Sequence, residues 1–216
     1  MKKLLTSFLI VLSSTVYAGC QQNYPKELSI VVPNTVELCS SFYVSIYDTN
    51  HKSVVFVSEK LSKDSTVGSA TRVNAFQRDR RVGKDGATNS DYIGSGFDRG
   101  HMAPAADASD SAQMKETFLL TNMTPQEPTL NRNAWKKLEE RVRKIRQTRN
   151  EDMWVLNIAI YPNEPKYIGN SIPVPSGYWK IVYTKDANFY YYADNKPYAT
   201  VLSVSAVDVN KLLGIK

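Results

Sequence analysis

The stretch ELSIVVPNTVELCSSFYVSIYDTNHKSVVFVSEKLS, residues 27–62, alternates apolar and polar side chains and is dense in Val, Ile, Tyr and Phe. A period of two places successive side chains on opposite faces of a pleated strand, a surface that β-branched and aromatic residues suit. The stretch reads as strands, with DTNHK turning a hairpin. His51 falls in that turn and is expected to be an ordinary surface residue. MWVLNIAIY, YWKIVYT, NFYYYAD and YATVLSV read as further strands, and TFLLTNM as a short buried one. In LNRNAWKKLEERVRKIRQT the period changes: Trp135, Leu138, Val142 and Ile145 recur at helical spacing and make one apolar stripe. AADASDSAQMKET carries Ser and Asp suited to capping a second helix, and SAVDVNKLLG closes the chain as a short one. Many strands with a few helices between them predict an α+β fold, a largely antiparallel central sheet flanked by helices. Residues 62–97 are polar and contain glycine, so a long loop-rich region is expected there, of the kind that often binds or reacts.

The first 18 residues read as a secretory signal: Lys2 and Lys3, then the apolar LLTSFLIVL, then VYA with a cleavage site after Ala18. The apolar run is short for a bilayer span. Residues 19–216 are then expected to form a single domain, secreted or periplasmic, with no stable membrane association after cleavage. The chain carries a net charge of +6, which falls to about +4 without the two lysines of the signal. That excess suits a polyanionic partner without identifying one. Cys20 and Cys39 are the only cysteines. In an oxidising compartment they could form one disulfide; a lipidated or free Cys20 is the competing reading. Cys and His show no zinc spacing.

GFDRGHMAP, residues 96–104, holds one of the two histidines. A near-neutral imidazole can take a proton from water, and a neighbouring carbonyl or carboxylate would fix its tautomer. Arg99 could bind a phosphate or brace the loop, and Gly100 lets the backbone turn. Downstream, Glu139 and Arg143 stand one helical turn apart beside the apolar stripe, and Asn131 begins that helix. Taken singly, Glu139 and Arg143 read as a solvated ion pair and Asn131 as a helix cap.

Taken in order, DRGH, TNMTPQ and NRNAWKKLEERVR resemble the DNA/RNA non-specific endonucleases of the ββα-metal, or His-Me finger, class; PSGYWKIVY is a weaker likeness. The resemblance implies a finger-type active site within the α+β fold and the following roles. His101 is the general base toward the attacking water. Asn131 is the single direct protein ligand of Mg²⁺, with Mn²⁺ a substitute, and water fills the other positions. Asn122 orients the histidine or its surroundings. Glu139 holds metal-bound water, and Arg143 contacts phosphate. Arg99 and Asp98 belong to the signature, more for loop architecture than for bond breaking, with Arg99 also a substrate contact, and Gln126 of TNMTPQ binds substrate. Arg72 matches an upstream arginine that stabilises charge on the phosphate, with Arg78, Arg80 and Arg81 as rivals.

These roles imply metal-assisted hydrolysis of DNA and RNA with little sequence reading, since the contacts go mainly to phosphate. Arg78, Arg80, Arg81, Lys136, Lys137, Arg141 and Lys144 would guide the polyanion. The tyrosines of NFYYYAD favour strand packing over base stacking. The rival readings are a nucleic-acid-binding or uptake protein without turnover, and a toxin nuclease of narrower specificity. An inhibitor protein or a homodimer is compatible with the sequence.

Overall fold

The computed structural model describes residues 20–26, 28 and 32–206. In chain order they form strands β1 (Thr35–Cys39), β2 (Tyr43–Asp48) and β3 (Ser53–Leu61), then 3-10 turns at Arg80–Asp85 and Asn89–Tyr92. Next come β4 (Asp98–His101), helix α1 (Ser111–Thr117), β5 (Met123–Gln126), a π-helical segment Leu130–Trp135 and helix α2 (Lys136–Thr148). Strands β6 (Met153–Ile160), β7 (Tyr167–Ile168), β8 (Ile172–Pro173), β9 (Gly177–Tyr183), β10 (Asn188–Asp194) and β11 (Leu202–Val204) follow. Seven of these form one sheet, ordered β1-β2-β3-β6-β9-β10-β11, and its paired neighbours are antiparallel throughout.

Both faces of this sheet are covered, which explains why its strands carry apolar residues on both sides. On one face Tyr43, Val57, Val155, Tyr178 and Val182 pack with Trp135, Leu138 and Val142 of the helical segment. Trp135 is buried within this cluster, and truncating so large a side chain would cost about 3–5 kcal/mol. On the other face Val44, Ile46, Phe56, Leu156 and Ile181 pack with Cys20 and Tyr24. A disulfide joins Cys20 to Cys39 at the end of β1, so a covalent bond holds the N-terminal segment over that second face.

A polar row crosses the α2-facing side. The Lys180 ammonium donates to Asn157 Oδ1, and Asn157 Nδ2 donates to Glu59 Oε1 at 3.2 Å. All three residues are buried. Burial, seconded by the charge of Asp107, pushes the Glu59 carboxyl well above the usual carboxylate range.

Several expectations shift. TFLLTNM is not a strand: Leu120–Asn122 is a 3-10 turn, and the strand begins at Met123. There the Asn122 side chain, not a ladder partner, bonds the Ala103 backbone and the Thr117 carbonyl. Strand YATVLSV contracts to Leu202–Val204. The helix in AADASDSAQMKET begins only at Ser111, where Asp110 accepts from the N–H groups of Ala112 and Gln113. His51 lies in the β2–β3 turn and pairs with Asp48 at 2.6 Å. Residues 1–18, read as a signal, and most of SAVDVNKLLG, read as a closing helix, lie outside the described residues.

Candidate active site

β4 and β5 pair as a separate two-stranded hairpin, with His101 opposite Met123, Gly100 opposite Thr124 and Asp98 opposite Gln126. The π-helical segment and α2 follow β5 directly. Two strands and a helix thus form a finger beside the main sheet.

Gly100 is fixed by packing. A Cβ there would stand 2.2 Å from Gln126 Oε1, a separation real atoms do not reach without the neighbour moving. Gln126 itself is buried, and its Oε1 has no hydrogen-bond partner. The structure therefore does not bring Gln126 to a face that a polymer could touch; it fills the hairpin behind His101.

The imidazole of His101 is held by rings. Phe118 meets it edge-on at 4.9 Å and Phe76 lies tilted against it at 5.8 Å, with Phe76 and Phe118 4.8 Å apart. A carbonyl or carboxylate is expected to fix the tautomer; aromatic rings pack against the imidazole instead. Nε2 is buried with no hydrogen-bond partner. Burial, and then the positive charge of Arg72, lower the imidazole to a pKa of about 3. At neutral pH it is the uncharged form that can accept a proton.

Asn122 braces the chain just past His101. Its Oδ1 accepts from the Ala103 N–H and its Nδ2 donates to the carbonyls of Ala103 and Thr117, each at 2.9 Å. Its own carbonyl accepts from the Met102 N–H at 2.9 Å. The side chain acts on the backbone that follows the histidine, not on the ring.

Asn131 is no cap. Glu127 performs that task, its Oε2 accepting from the Leu130 N–H at 2.8 Å and from the Thr129 hydroxyl. Asn131 Nδ2 instead donates to Asp98 Oδ2 at 2.9 Å. A carboxylate can only accept, so the amide nitrogen must face it and Oδ1 turns away. Arg132 closes on the same carboxylate through Nε at 2.9 Å and a terminal nitrogen at 2.6 Å. Burial alone would raise Asp98; the hydrogen bonds from Arg132 and Asn131 outweigh it and hold the carboxyl below the usual range. Asp98 thus does more than shape a loop.

The π-helical segment has a geometric effect. In a regular helix the eight residues from Asn131 to Glu139 rotate about 800°, leaving the two about 80° out of register. A π turn takes up one extra residue. That removes about 100° and brings Asn131 onto the Glu139 face to within about 20°.

Glu139 and Arg143 do not pair with each other. Arg143 donates to Asp107 Oδ1 at 3.0 Å and is largely buried, lying against Gly68. Its placement beside a buried carboxylate leaves it less open to a phosphate than the resemblance implies. Burial raises Asp107 to about 6 against the opposing charges of Arg143 and Lys180. Burial likewise raises Glu139 to about 7, against Lys180 and with Asp107.

Among the upstream arginines, Arg81 is committed to Asp79 and to the Cys39 carbonyl. Arg72 is exposed, its guanidinium 5.2 Å over the Phe118 ring, and its charge acts on both His101 and Glu139. Arg99 lies 4.1 Å over Phe76 and donates to Asn89 Oδ1 at 2.9 Å. The structure therefore gathers His101, Arg72, Arg99 and the Phe76/Phe118 pair around one hairpin face. Asn131 and Asp98 meet at the other end of the β4–β5 pair. Strand geometry puts the Cα atoms of Asp98 and His101 about 10 Å apart.

The donor set fits a hydrated hard cation. Among the described residues no three His, Cys, Asp or Glu side chains converge on a metal site. What the finger offers is one neutral amide oxygen, aimed by Asp98. A hard cation such as Mg²⁺ takes an oxygen ligand of this kind and keeps its waters.

A hairpin with a histidine, followed by a helix with an oriented asparagine, is the ββα-metal nuclease arrangement on an α+β sheet. The chain matches the family model for DNA/RNA non-specific endonucleases over residues 23–216, and it belongs to that family. It is 34% identical to a nuclease of Nostoc sp. (strain PCC 7120 / SAG 25.82 / UTEX 2576), over 73% of this chain and 57% of that protein. It is 40% identical to mitochondrial endonuclease G of Bos taurus over 54% of this chain and 40% of that protein. It is also 43% identical to mitochondrial nuclease EXOG of Xenopus laevis over 51% of this chain and 32% of that protein. The chain thus spans about a third to three-fifths of the length of these relatives. A solved structure of an EndoG/EndoGI complex, described as showing the mechanism of EndoG inhibition, superposes with a TM-score of 0.73. It is 26% identical and covers 82% of this chain and 83% of that one.

Proposed function

We propose that this chain is an exported, Mg²⁺-dependent endonuclease that hydrolyses phosphodiester bonds in DNA and RNA with little sequence preference. One observation carries the reading: an uncharged His101 imidazole and an amide turned by Asp98 share one finger.

The chemistry follows from these groups. His101, uncharged above about pH 3, accepts a proton from the attacking water. The guanidinium of Arg72 offsets charge developing on the phosphate. Arg99 stands over Phe76 on the same side and can donate to a second phosphate oxygen. Asn131 Oδ1 would hold the metal ion. When bound, Mg²⁺ supplies positive charge to the phosphate and the leaving oxygen. Asn122 and Gln126 keep the hairpin in place from behind and touch no substrate. Exposed Arg78, Arg80, Lys136, Lys137, Arg141 and Lys144 attract the polyanion without reading bases.

Export rests on the signal-like residues 1–18 and is supported by the disulfide, which suits an oxidising compartment. An inhibitor protein as partner is in keeping with the EndoG/EndoGI complex.

The test is digestion of plasmid DNA and of RNA, with and without chelator, beside a His101→Ala protein. Cleavage that needs both the divalent metal and His101 supports the reading. Cleavage that survives chelation and the substitution rejects it.

A further inference from the structure

The aromatic strand β10 packs into the sheet: Tyr191 is buried, and Tyr192 packs at a tilt against Trp179 with centroids 5.0 Å apart. A ring a few residues on behaves differently. Tyr198, in the β10–β11 connection, is 85% exposed, the most exposed large apolar side chain among the described residues.

Its backbone is also unusual. Tyr198 has φ +57°, in the left-handed region that bulky side chains avoid. Among the described residues, Asn34, Lys52 and Ser171 are the other non-glycine positions with positive φ. Asparagine tolerates that region, while Lys52 and Ser171 occupy the tight turns of the β2–β3 and β7–β8 hairpins. Tyr198 sits in a longer connection that other contacts hold down. Its N–H donates to Thr129 Oγ1 at 2.8 Å, and Thr129 donates to Glu127, the residue that caps the metal-side helix. Asn195 adds a second clamp, its Oδ1 accepting from the Glu127 N–H at 2.8 Å and its Nδ2 donating to the Pro125 carbonyl at 3.0 Å. The connection is thereby stapled to the segment that leads from β5 to Asn131. Exposed Arg132, Lys136 and Lys137 lie along the same helical start.

We infer that Tyr198 is a nucleobase-stacking residue, placed beside the metal-side helix to seat one unpaired base of the strand being cut. The inference rests on the nuclease reading and extends it from phosphate contacts to a contact with a base. An exposed ring held out in an unfavourable backbone conformation, its N–H bonded to the residue just before a cationic helix turn, offers a π face to any of the bases. Stacking on a single ring tolerates sequence, in keeping with a non-specific enzyme, and demands a base that is not fully paired.

The experiment uses the whole chain and two labelled probes of equal length, a single-stranded oligonucleotide and the same strand with abasic residues. Binding is read by fluorescence anisotropy in EDTA, and cleavage kinetics of the base-bearing strand in Mg²⁺. Tyr198→Ala should weaken binding to the base-bearing strand and raise KM about 5–10-fold, with kcat within about twofold, near the lower end for one stacked base. Tyr198→Trp should retain wild-type values, and all forms should bind the abasic strand alike. Tyr198→Gly separates ring from backbone: it relieves the left-handed strain yet should lose as much as Ala.

An unchanged KM in Tyr198→Ala, an equal loss on both probes, or full function in Tyr198→Gly would each overturn the inference. So would a loss confined to self-association or to capture by an inhibitor protein. A wild-type chain that cleaves nothing would sink the nuclease reading, whereas the comparison of the two probes by binding is independent of cleavage.

Discussion

Asp98 Oδ2 lies 2.9 Å from Asn131 Nδ2, and this hydrogen bond decides which end of the amide faces outward. The aspartate of DRGH thus acts on the helix, 33 residues further along the chain. Asp98→Ala should weaken Mg²⁺ or Mn²⁺ affinity about 10–100-fold, the usual cost of losing a group that orients a metal ligand. Isothermal titration of Mn²⁺ measures this. Arg132→Ala leaves the Asp98–Asn131 bond in place and should change affinity far less. Equal losses in the two variants would show that the ion pair, not amide orientation, matters.

His101→Ala should lower kcat by about 10²–10⁴, the usual span for loss of a general base, while metal-free DNA binding by anisotropy stays unchanged. The sign of its pH dependence follows from burial. Its folded value, about 3, lies below the ordinary 6.5. The neutral ring therefore stabilises the fold above 6.5, and that contribution is lost as pH falls toward 3. The rate should show no His101 titration near 6.5. An acid limb there that disappears in Glu139→Gln belongs to the carboxylate instead.

Glu139 behaves in the opposite sense. Its folded value is raised from 4.5 to about 7, so the stability it contributes as a neutral acid is complete below about 4.5 and is lost as pH rises through 7. Glu139→Gln should raise Tm at pH 8 by a few degrees, ~1 kcal/mol being about 2–4 °C at this chain length. At pH 5 the gain should vanish, and activity should fall at both values. Differential scanning calorimetry at the two pH values tests it; a gain independent of pH would count against a buried, ionising Glu139.

The Cys20–Cys39 disulfide closes a loop across a separation of 19 residues, worth about 3 kcal/mol on the chain-entropy model. The double substitution Cys20→Ser with Cys39→Ser should lower Tm by about 6–12 °C. The bond lies on the sheet face away from α2, so activity at 20 °C should be close to wild type. Lost activity without lost stability would contradict that separation of roles.

The parts of the fold legible in the sequence were those set by local periodicity. The alternation around residues 43–61 and the stripe of Trp135, Leu138 and Val142 describe how one element meets one neighbour, and both appear as expected. Thr117–Met123 was misread because a run of apolar residues says only that a segment is buried. Whether it ladders or turns depended on Asn122 meeting the backbone of Ala103 across 19 residues. The site shows the same division. His101, Asn122, Asn131 and Glu139 were visible as a spaced motif. Asp107, which takes Arg143 away from Glu139, had no signal, since a lone Asp in a loop carries no record of a helix packed above it. Phe76 and Phe118 likewise flank His101 from separate segments.

The contact between Gly100 and Gln126 limits how this finger can diverge. With no room for even one methyl group on the β4 side, drift at position 100 is blocked unless position 126 shrinks in the same step. The two sites should therefore vary as a pair. Directed libraries that randomise β4 without co-varying the two positions will mostly recover glycine.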